Sequence, residues 1–183
     1  MPASLVAITA APGRARVELT GAADYGTVDA AAILPRLLSR GPNSARVALI
    51  AGGAMLLGGD TVELQIDVGA GCTLELEDIG GTVAYDGEGR RSRWSVSIRV
   101  GDGGLLCWNG KPLVIADGAN VRRSTELRLG MDARVLLRET TVLGRVGEVG
   151  GSVELSTHAT DSDGPLLIET LSLIGGQGKP GVA

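Results

Sequence analysis

Few side chains in this sequence are of the types that carry out catalysis. The one histidine, His158, has Ser156 and Asp161 close to it along the chain. A hydrolase triad is defined by its spatial geometry, however, and adjacent residues of a strand point to opposite faces. A surface histidine near a turn is the simpler interpretation, and we expect no hydrolytic site.

Metal and nucleotide sites also lack their usual parts. One histidine and two widely spaced cysteines, Cys72 and Cys107, provide no ligand pair for a closed zinc site. The glycine pairs at 52–53 and 58–59 are not followed by the Lys-Ser or Lys-Thr of a phosphate-binding loop. We therefore predict that the chain is not an enzyme, and that both cysteines are reduced, small core residues.

The composition favours a soluble, β-rich protein. Among 183 residues there are 29 glycines, 2% aromatic residues and no phenylalanine, so turns must be many and the core must consist of Val, Leu, Ile and Ala. The net charge is −4, and no basic cluster with aromatic residues indicates nucleic-acid binding. The longest apolar stretch, residues 47–57, is too short to span a bilayer. Since the N-terminal residues lack the pattern of a secretory signal, we expect a cytoplasmic protein without a membrane or nucleic-acid partner.

The elements that must position any functional residue are repeated strands. Apolar and polar residues alternate on both sides of a glycine turn in three segments, residues 63–76, 95–108 and 125–137. Aligned on Gly69, Gly101 and Gly130, these units lie 32 and 29 residues apart. Each unit is predicted to be a β-hairpin of strand, short turn and strand. One hairpin cannot bury its apolar face alone, so neighbouring units must stack.

The predicted fold class is therefore all-β: stacked β-hairpin repeats that form a solenoid-like or layered β structure with little helix. A β-sandwich built from the same strands is the main alternative. We expect a single β-rich domain over residues 1–174, followed by a flexible glycine-rich tail over residues 175–183.

Three segments carry a resemblance to a known family. The first is Gly52-Gly53-Ala54-Met55-Leu56-Leu57-Gly58-Gly59-Asp60, a glycine-rich apolar turn that leads into Gly-Gly-Asp before a strand. The second contains Trp108 and then Lys111-Pro112-Leu113. The third is Arg138-Glu139-Thr140-Thr141-Val142-Leu143-Gly144-Arg145, followed by Gly147-Glu148. In this order they resemble the UreD family of urease accessory proteins over residues 52–173, roughly two thirds of the chain.

The sequence also departs from the family pattern. Leu49-Ile50-Ala51 replaces a proline-rich approach to Gly-Gly-Asp. The segment from Asp78 to Tyr85 replaces one that usually carries Gln and a Lys-Val-Tyr-like run. The chain resembles a short form of the family, so a partner contact made by the C-terminal region of longer members would differ here.

The resemblance implies a function in urease maturation. It implies a non-catalytic scaffold that binds the accessory protein UreF and, through UreF, joins a complex with the GTPase UreG and the urease apoprotein. It also implies an internal path for nickel, so we expect no permanently bound cofactor and only transient nickel. Such a path needs weak, spaced oxygen ligands, because tight binding would stop transfer. Nickel binds mixed N and O ligands well enough that a few carboxylates suffice.

Three acids in the family-like segments are the candidate nickel ligands: Asp60, Glu139 and Glu148. Asp60 follows two glycines and is equally suited to capping a turn. Glu139 either points inward as a channel residue or forms a structural ion pair with an arginine. Glu148 lies in a glycine-flanked loop, and contact with a partner is its alternative role.

Three further residues are given supporting roles. Arg145 is expected to orient an acid through a bidentate bond, and Glu169 on the last strand is a weaker addition to the path. Trp108, if exposed, would be an interface anchor for a partner. The alternative function is a stand-alone β-solenoid domain, structural or acting on carbohydrate, without a metal role. The scarcity of aromatic residues argues against carbohydrate.

Overall fold

Strands make up all of the regular structure in the described part of the chain. The computed structural model describes the backbone of residues 4–10, 18–22 and 33–176, and the side chains of residues 33–176. The strands are β1 Ser4–Ala10, β2 Glu18–Ala22, β3 Ile33–Arg40, β4 Ser44–Ala51, β5 Thr61–Val68, β6 Thr73–Asp78, β7 Thr82–Ala84, β8 Ser92–Val100, β9 Leu105–Asn109, β10 Leu113–Ile115, β11 Asn120–Leu129, β12 Arg134–Arg138, β13 Thr141–Leu143, β14 Ser152–Thr160 and β15 Pro165–Ile174. Within these ranges there is no helix of the length and apolarity that crossing a membrane requires.

The strands wind into a solenoid with three sheets. Successive coils are β5–β6–β7, β8–β9–β10 and β11–β12–β13, and each coil contributes one strand to every sheet. Sheet 1 has the order β15-β14-β11-β8-β5-β1-β2, sheet 2 the order β12-β9-β6-β4-β3, and sheet 3 the order β13-β10-β7. These coils pair in parallel and in register, so that Trp94 of β8 lies between Val62 of β5 and Arg123 of β11. The predicted all-β, solenoid-like class is confirmed.

The prediction that each unit is a hairpin is wrong. β5 and β6 flank the turn at Gly69 as expected, but they lie in different sheets. They pair with β8 and β9 of the next coil rather than with each other. Period-two alternation and a glycine turn are shared by a hairpin and by the corner of a solenoid, so these signals do not identify the pairing partner. The partner is the equivalent strand one repeat away.

Aliphatic side chains fill the interior, as the composition predicts. The largest fully buried side chains are Leu56, Leu64, Ile66, Leu74, Ile98, Leu106, Ile115, Val47, Val62 and Val96. Stacking places similar residues side by side, as with Ile66, Ile98 and Leu127 on three successive coils. Cys72 and Cys107 are both free, and burial raises the pKa of the Cys72 thiol.

The two ends of the sheets are closed differently. At one end β2 pairs antiparallel with β1 and β3 pairs antiparallel with β4. At the other end β15 pairs antiparallel with β14 and closes sheet 1, while sheet 2 stops at β12 among the described residues. β15 ends at Ile174, and residues 177–183 of the predicted tail lie outside the described residues.

Glycine is required where the corners of successive coils touch. The N–H of Gly101 donates to the Val68 carbonyl at 2.8 Å, and the N–H of Gly130 donates to the Val100 carbonyl at 2.8 Å. A Cβ atom on Gly101 would lie 2.8 Å from the backbone nitrogen of Ala70, closer than Cβ atoms approach other atoms. The corners stack this closely only because a side chain is absent.

Gly101→Ala is expected to lower the melting temperature by several degrees, because the backbone at Ala70 must move and overpacking costs about 1–3 kcal/mol. Gly80→Ala is the matched control, since no atom lies within 4 Å of a Cβ placed there. Thermal unfolding followed by circular dichroism measures both variants. Equal melting temperatures for the two variants would contradict this account of the corners.

Candidate functional site: a polar cluster inside the solenoid

An arginine lies inside the solenoid among apolar side chains. Val121, Arg123, Thr125 and Leu127 share the inner face of β11, because side chains alternate along a strand. The parallel register sets Arg123 beside Trp94 of β8, and the guanidinium carbon lies 4.5 Å from the centroid of the indole ring. This cation–π contact covers one face of a charged side chain that is only 10% exposed.

Glu139 compensates the charge of this arginine. It lies between the end of β12 and the start of β13, where the chain passes from sheet 2 to sheet 3. Its Oε1 atom accepts from Arg123 Nη2 at 2.6 Å and Nε at 2.8 Å, and from the Thr125 hydroxyl at 3.3 Å. Its Oε2 atom has no hydrogen-bond partner among the described residues. The carboxylate is thus ion-paired and 25% exposed, with one oxygen available to a ligand.

Asp78 is a second interior acid, which the sequence analysis missed. It ends β6 in the same strand phase as Leu74 and Leu76, which are both buried. Its Oδ1 atom accepts the indole N–H of Trp108 at 3.0 Å, and its Oδ2 atom accepts the backbone N–H of Lys111 at 2.9 Å. The alternation along β6 is the signal that identifies Asp78 as inward-facing.

Two small cavities adjoin these acids. One, of about 20 Å³, is lined by both Asp78 and Glu139, and the other, also about 20 Å³, is lined by Asp78 and Trp108. Thr82 and Trp94 line both cavities. The indole nitrogen of Trp94 is buried and has no hydrogen-bond partner among the described residues, although most buried donors in proteins are paired. We call the following residues the polar cluster: Asp78, Trp94, Arg123, Thr125 and Glu139.

Asp60 caps a turn, which is one of the two roles open to it from the sequence. Its Oδ2 atom accepts the Leu57 N–H at 2.9 Å, and its own N–H donates to the Leu57 carbonyl at 2.9 Å. The same turn requires Gly58, because a Cβ there would lie 2.0 Å from the Cα of Gly87. The Gly-Gly-Asp motif therefore fixes the entry into β5, and no described hydrogen bond joins Asp60 to the polar cluster.

Glu148 and Arg145 hold one surface loop together. The backbone N–H of Arg145 donates to Glu148 Oε2 at 2.8 Å, its Nε donates to Oε1 at 2.8 Å, and its Nη2 also contacts Oε1. The backbone N–H of Asp117 reaches Glu148 Oε2 at 3.4 Å. The hydrogen bonds from Arg145 lower the pKa of Glu148 to about 2. Arg145 thus orients Glu148, in a pair that makes no described contact with Glu139.

Three other residues singled out in the sequence occupy different environments. Glu169 of β15 is exposed and pairs in register with Thr157 of β14, which in turn lies beside Thr125 of β11. Trp108 is 3% exposed, so its indole ring is not available as an exposed interface anchor. His158 lies 3.5 Å from the Glu126 carboxylate, with 43% of its side chain exposed.

The predicted acids do not converge on one site. Asp60 forms hydrogen bonds within a turn, and Glu148 forms hydrogen bonds within a surface loop. Of the three acids, only Glu139 belongs to the polar cluster. Within residues 33–176, no group of three His, Cys, Asp or Glu side chains is arranged to hold a metal ion. Glu139 is the one of the three that lines a described cavity, and its Oε2 atom has no described hydrogen-bond partner, so it can make a single oxygen contact to a cation.

Comparison with known proteins assigns the chain to a family. The family model for the UreD urease accessory protein matches residues 16–182. The chain belongs to the UreD family. Urease accessory protein UreD 1 of Streptomyces griseus is 45% identical over 141 residues, which cover 77% of this chain and 55% of the relative. UreD of Frankia alni is 46% identical over 119 residues (64% and 40%), and UreD of a Parafrankia species is 36% identical over 154 residues (82% and 52%).

UreD membership confirms the resemblance seen in the sequence. The chain spans about half the length of the curated UreD relatives that it matches. In this UreD chain each family-like segment has a different structural role. The Gly-Gly-Asp segment forms the turn before β5, and the segment from Arg138 to Arg145 includes Glu139 and β13. Gly147-Glu148 belongs to the surface loop that Glu148 and Arg145 hold together.

Glu148→Gln is expected to lower the melting temperature of this UreD chain at neutral pH, because the amide loses the ion pair with Arg145. A carboxyl group whose pKa is depressed on folding stabilises the folded state above its unfolded pKa, and this contribution disappears as the pH falls through the folded pKa. The pKa of Glu148 falls from 4.5 to about 2 on folding. The difference in melting temperature between wild type and variant should therefore be constant above about pH 5 and shrink below it. Thermal unfolding across this range measures it, and a difference that persists unchanged at low pH would contradict the ion-pair account.

Proposed function

We propose that this chain is a non-catalytic scaffold of urease maturation that binds UreF and the urease apoprotein and helps to deliver nickel to the urease active site. It joins the GTPase UreG through UreF, and it acts in the cytoplasm. UreD-family membership supports the urease context. The observation that carries the metal role is Glu139, whose Oε1 is held by Arg123 while its Oε2 is unused beside a cavity shared with Asp78.

The ion pair suits a ligand that must release its metal. The positive charge of Arg123, bonded to Oε1 at 2.6 Å, opposes a second cation at the same carboxylate. An unpaired interior carboxylate would hold Ni²⁺ more tightly, since charge interactions strengthen away from bulk water. Asp78 lines the same cavity, and both of its oxygens are already hydrogen-bonded. Both acids therefore favour brief contact with a passing ion over storage.

Glu139→Gln is expected to leave complex formation intact and to reduce urease activation several-fold, because the amide keeps the size of the side chain but loses its charge. The full chain is co-expressed with the urease subunits and the accessory proteins of the same organism. Pull-down, bound nickel and urease activity are then measured. Glu126→Gln is the matched control, since Glu126 lies on β11 with 58% of its side chain exposed.

The possible outcomes test the scaffold function and the metal path separately. Loss of activation in Glu139→Gln alone, with the complex preserved, supports both. Full activation in Glu139→Gln keeps the scaffold and removes Glu139 from the path. Failure of the wild-type chain to form any complex with these partners would contradict the scaffold itself.

Arg123→Met is expected to strengthen Ni²⁺ binding by the isolated full chain several-fold, because the competing charge is removed while an adaptable side chain fills the space. Calorimetric titration with a nickel salt measures the affinity, and circular dichroism verifies that the variant folds. The double variant Arg123→Met, Glu139→Gln should lose the gain. An affinity that is the same for wild type and Arg123→Met would rule out competition between arginine and metal at Glu139.

A further inference from the structure

In the part of the chain that the structure describes, one edge of sheet 2 has no neighbouring strand at the second end of the solenoid. Sheet 1 continues past β11 through β14 and the antiparallel β15, whereas sheet 2 stops at β12 among the described residues. An edge strand presents unpaired N–H and C=O groups, which are a template for pairing with another strand. β12 is such an edge strand, and at this end sheet 1 has two further strands, β14 and β15.

The backbone of β12 has defined groups on its open side. Arg134 donates its N–H to the Gly104 carbonyl at 2.9 Å, and the Arg138 carbonyl accepts the Gly110 N–H at 3.0 Å. Both hydrogen bonds are made on the side of β12 that faces β9, the strand with which it pairs. Backbone groups alternate in direction along a strand, so the N–H and C=O groups of the odd-numbered residues, at positions 135 and 137, face the open edge.

Half-exposed apolar side chains lie beside this edge. Val135 and Leu137 pack against the core but remain partly exposed. Leu155 of β14 also packs against the core, and its cross-strand partner on β15, Leu171, lies on the same face. Leu167 shares this face by alternation, as does the exposed Glu169 between the two leucines, and Leu167 and Leu171 are each 47% exposed. We call the edge of β12 together with these five apolar residues the notch.

The outer side chains of β12 determine which charge would fit the notch. Arg134, Leu136 and Arg138 are exposed, and neither arginine has an ion-pair partner among the described residues. Elsewhere on the same sheet an arginine is matched by the next strand, since Arg46 of β4 bonds Glu77 of β6 at 2.8 Å. An incoming strand with acids opposite the two arginines of β12 would provide the same match.

A second copy of this chain fits the edge poorly. When two copies of β12 related by a twofold axis overlap along their whole length, they pair antiparallel with Arg134 of one copy opposite Arg138 of the other. Like charges directly opposite each other destabilise a sheet. The charges of β12 therefore favour an acidic strand from another protein.

We propose that the notch binds an extended acidic segment of a partner protein, which adds to β12 as an antiparallel strand. The segment carries acids opposite Arg134 and Arg138 and apolar residues opposite Val135 and Leu137. The antiparallel direction is that of β2 and β15, which close the two ends of sheet 1, and of β3, which closes the first end of sheet 2. This proposal is independent of nickel, and its test contains neither metal nor any urease component.

The test uses the peptide fluorescein-Ser-Glu-Val-Thr-Val-Glu-Ser-amide, titrated with the full chain and followed by fluorescence anisotropy. We expect saturable binding that weakens about ten-fold when both glutamates are replaced by lysine. The double variant Arg134→Glu, Arg138→Glu should reverse the preference and bind the lysine peptide. Both arginines are exposed, so these substitutions leave the core intact.

N-methylated peptides test the strand pairing itself. In an antiparallel pair the two valines exchange hydrogen bonds with Val135 and Leu137, while the N–H of the threonine points away from β12. N-methylation of both valines should abolish binding, and N-methylation of the threonine should leave it nearly unchanged. The amides of Val135 and Leu137 should also exchange rapidly with solvent in the free chain and slowly in the complex.

Three results would overturn the proposal. Equal binding of the glutamate and lysine peptides would show that binding does not depend on a charge match with Arg134 and Arg138. Slow amide exchange at Val135 and Leu137 in the free monomer would mean that the chain covers its own edge. A dimer that dissociates on Leu136→Glu would assign the edge to a second copy.

Discussion

Parallel, in-register stacking of the coils is the constraint on which the rest of the structure depends. Each inner side chain lies beside its equivalent in the next coil, so a polar residue must be accommodated by its neighbours in the row. The row that contains Arg123 has Trp94 on one side and Leu155 on the other. The register therefore provides the aromatic face that covers the guanidinium, and Glu139 provides the opposite charge. An arginine in an aliphatic interior is stable only with both.

The sequence predicted the strands and their repetition, but not their partners. Alternation and glycine turns are local signals, and they located the strands on both sides of Gly69, Gly101 and Gly130. A turn of the same composition closes a hairpin or redirects the chain into another sheet, depending on whether the flanking strands meet each other or the next coil. The choice between a hairpin and a corner depends on contacts with residues about 30 positions away in the sequence. Local patterns carry no information about such contacts.

The candidate site was predictable only in part. The family-like segment identified Glu139, and strand phase alone identifies Arg123 and Asp78 as inward-facing. The partners of the other two acids lie in turns and loops. Asp60 binds the N–H of Leu57, and Glu148 binds the backbone N–H and the guanidinium of Arg145. No periodicity encodes such contacts, since they depend on how a few residues of irregular chain are folded.

The lack of neighbours in the last coil has an energetic consequence. A solenoid is stabilised largely by contacts between adjacent coils. β11 is flanked on both sides, by β8 and β14, whereas β12 and β13 each have one described neighbour, β9 and β10. Opening of β12 and β13 should thus require less free energy than opening of the central coils. Glu139 connects these two strands, so this interior charge lies at the end of the solenoid that is easiest to open, and unwinding from this end would release its ion pair before the central coils separate.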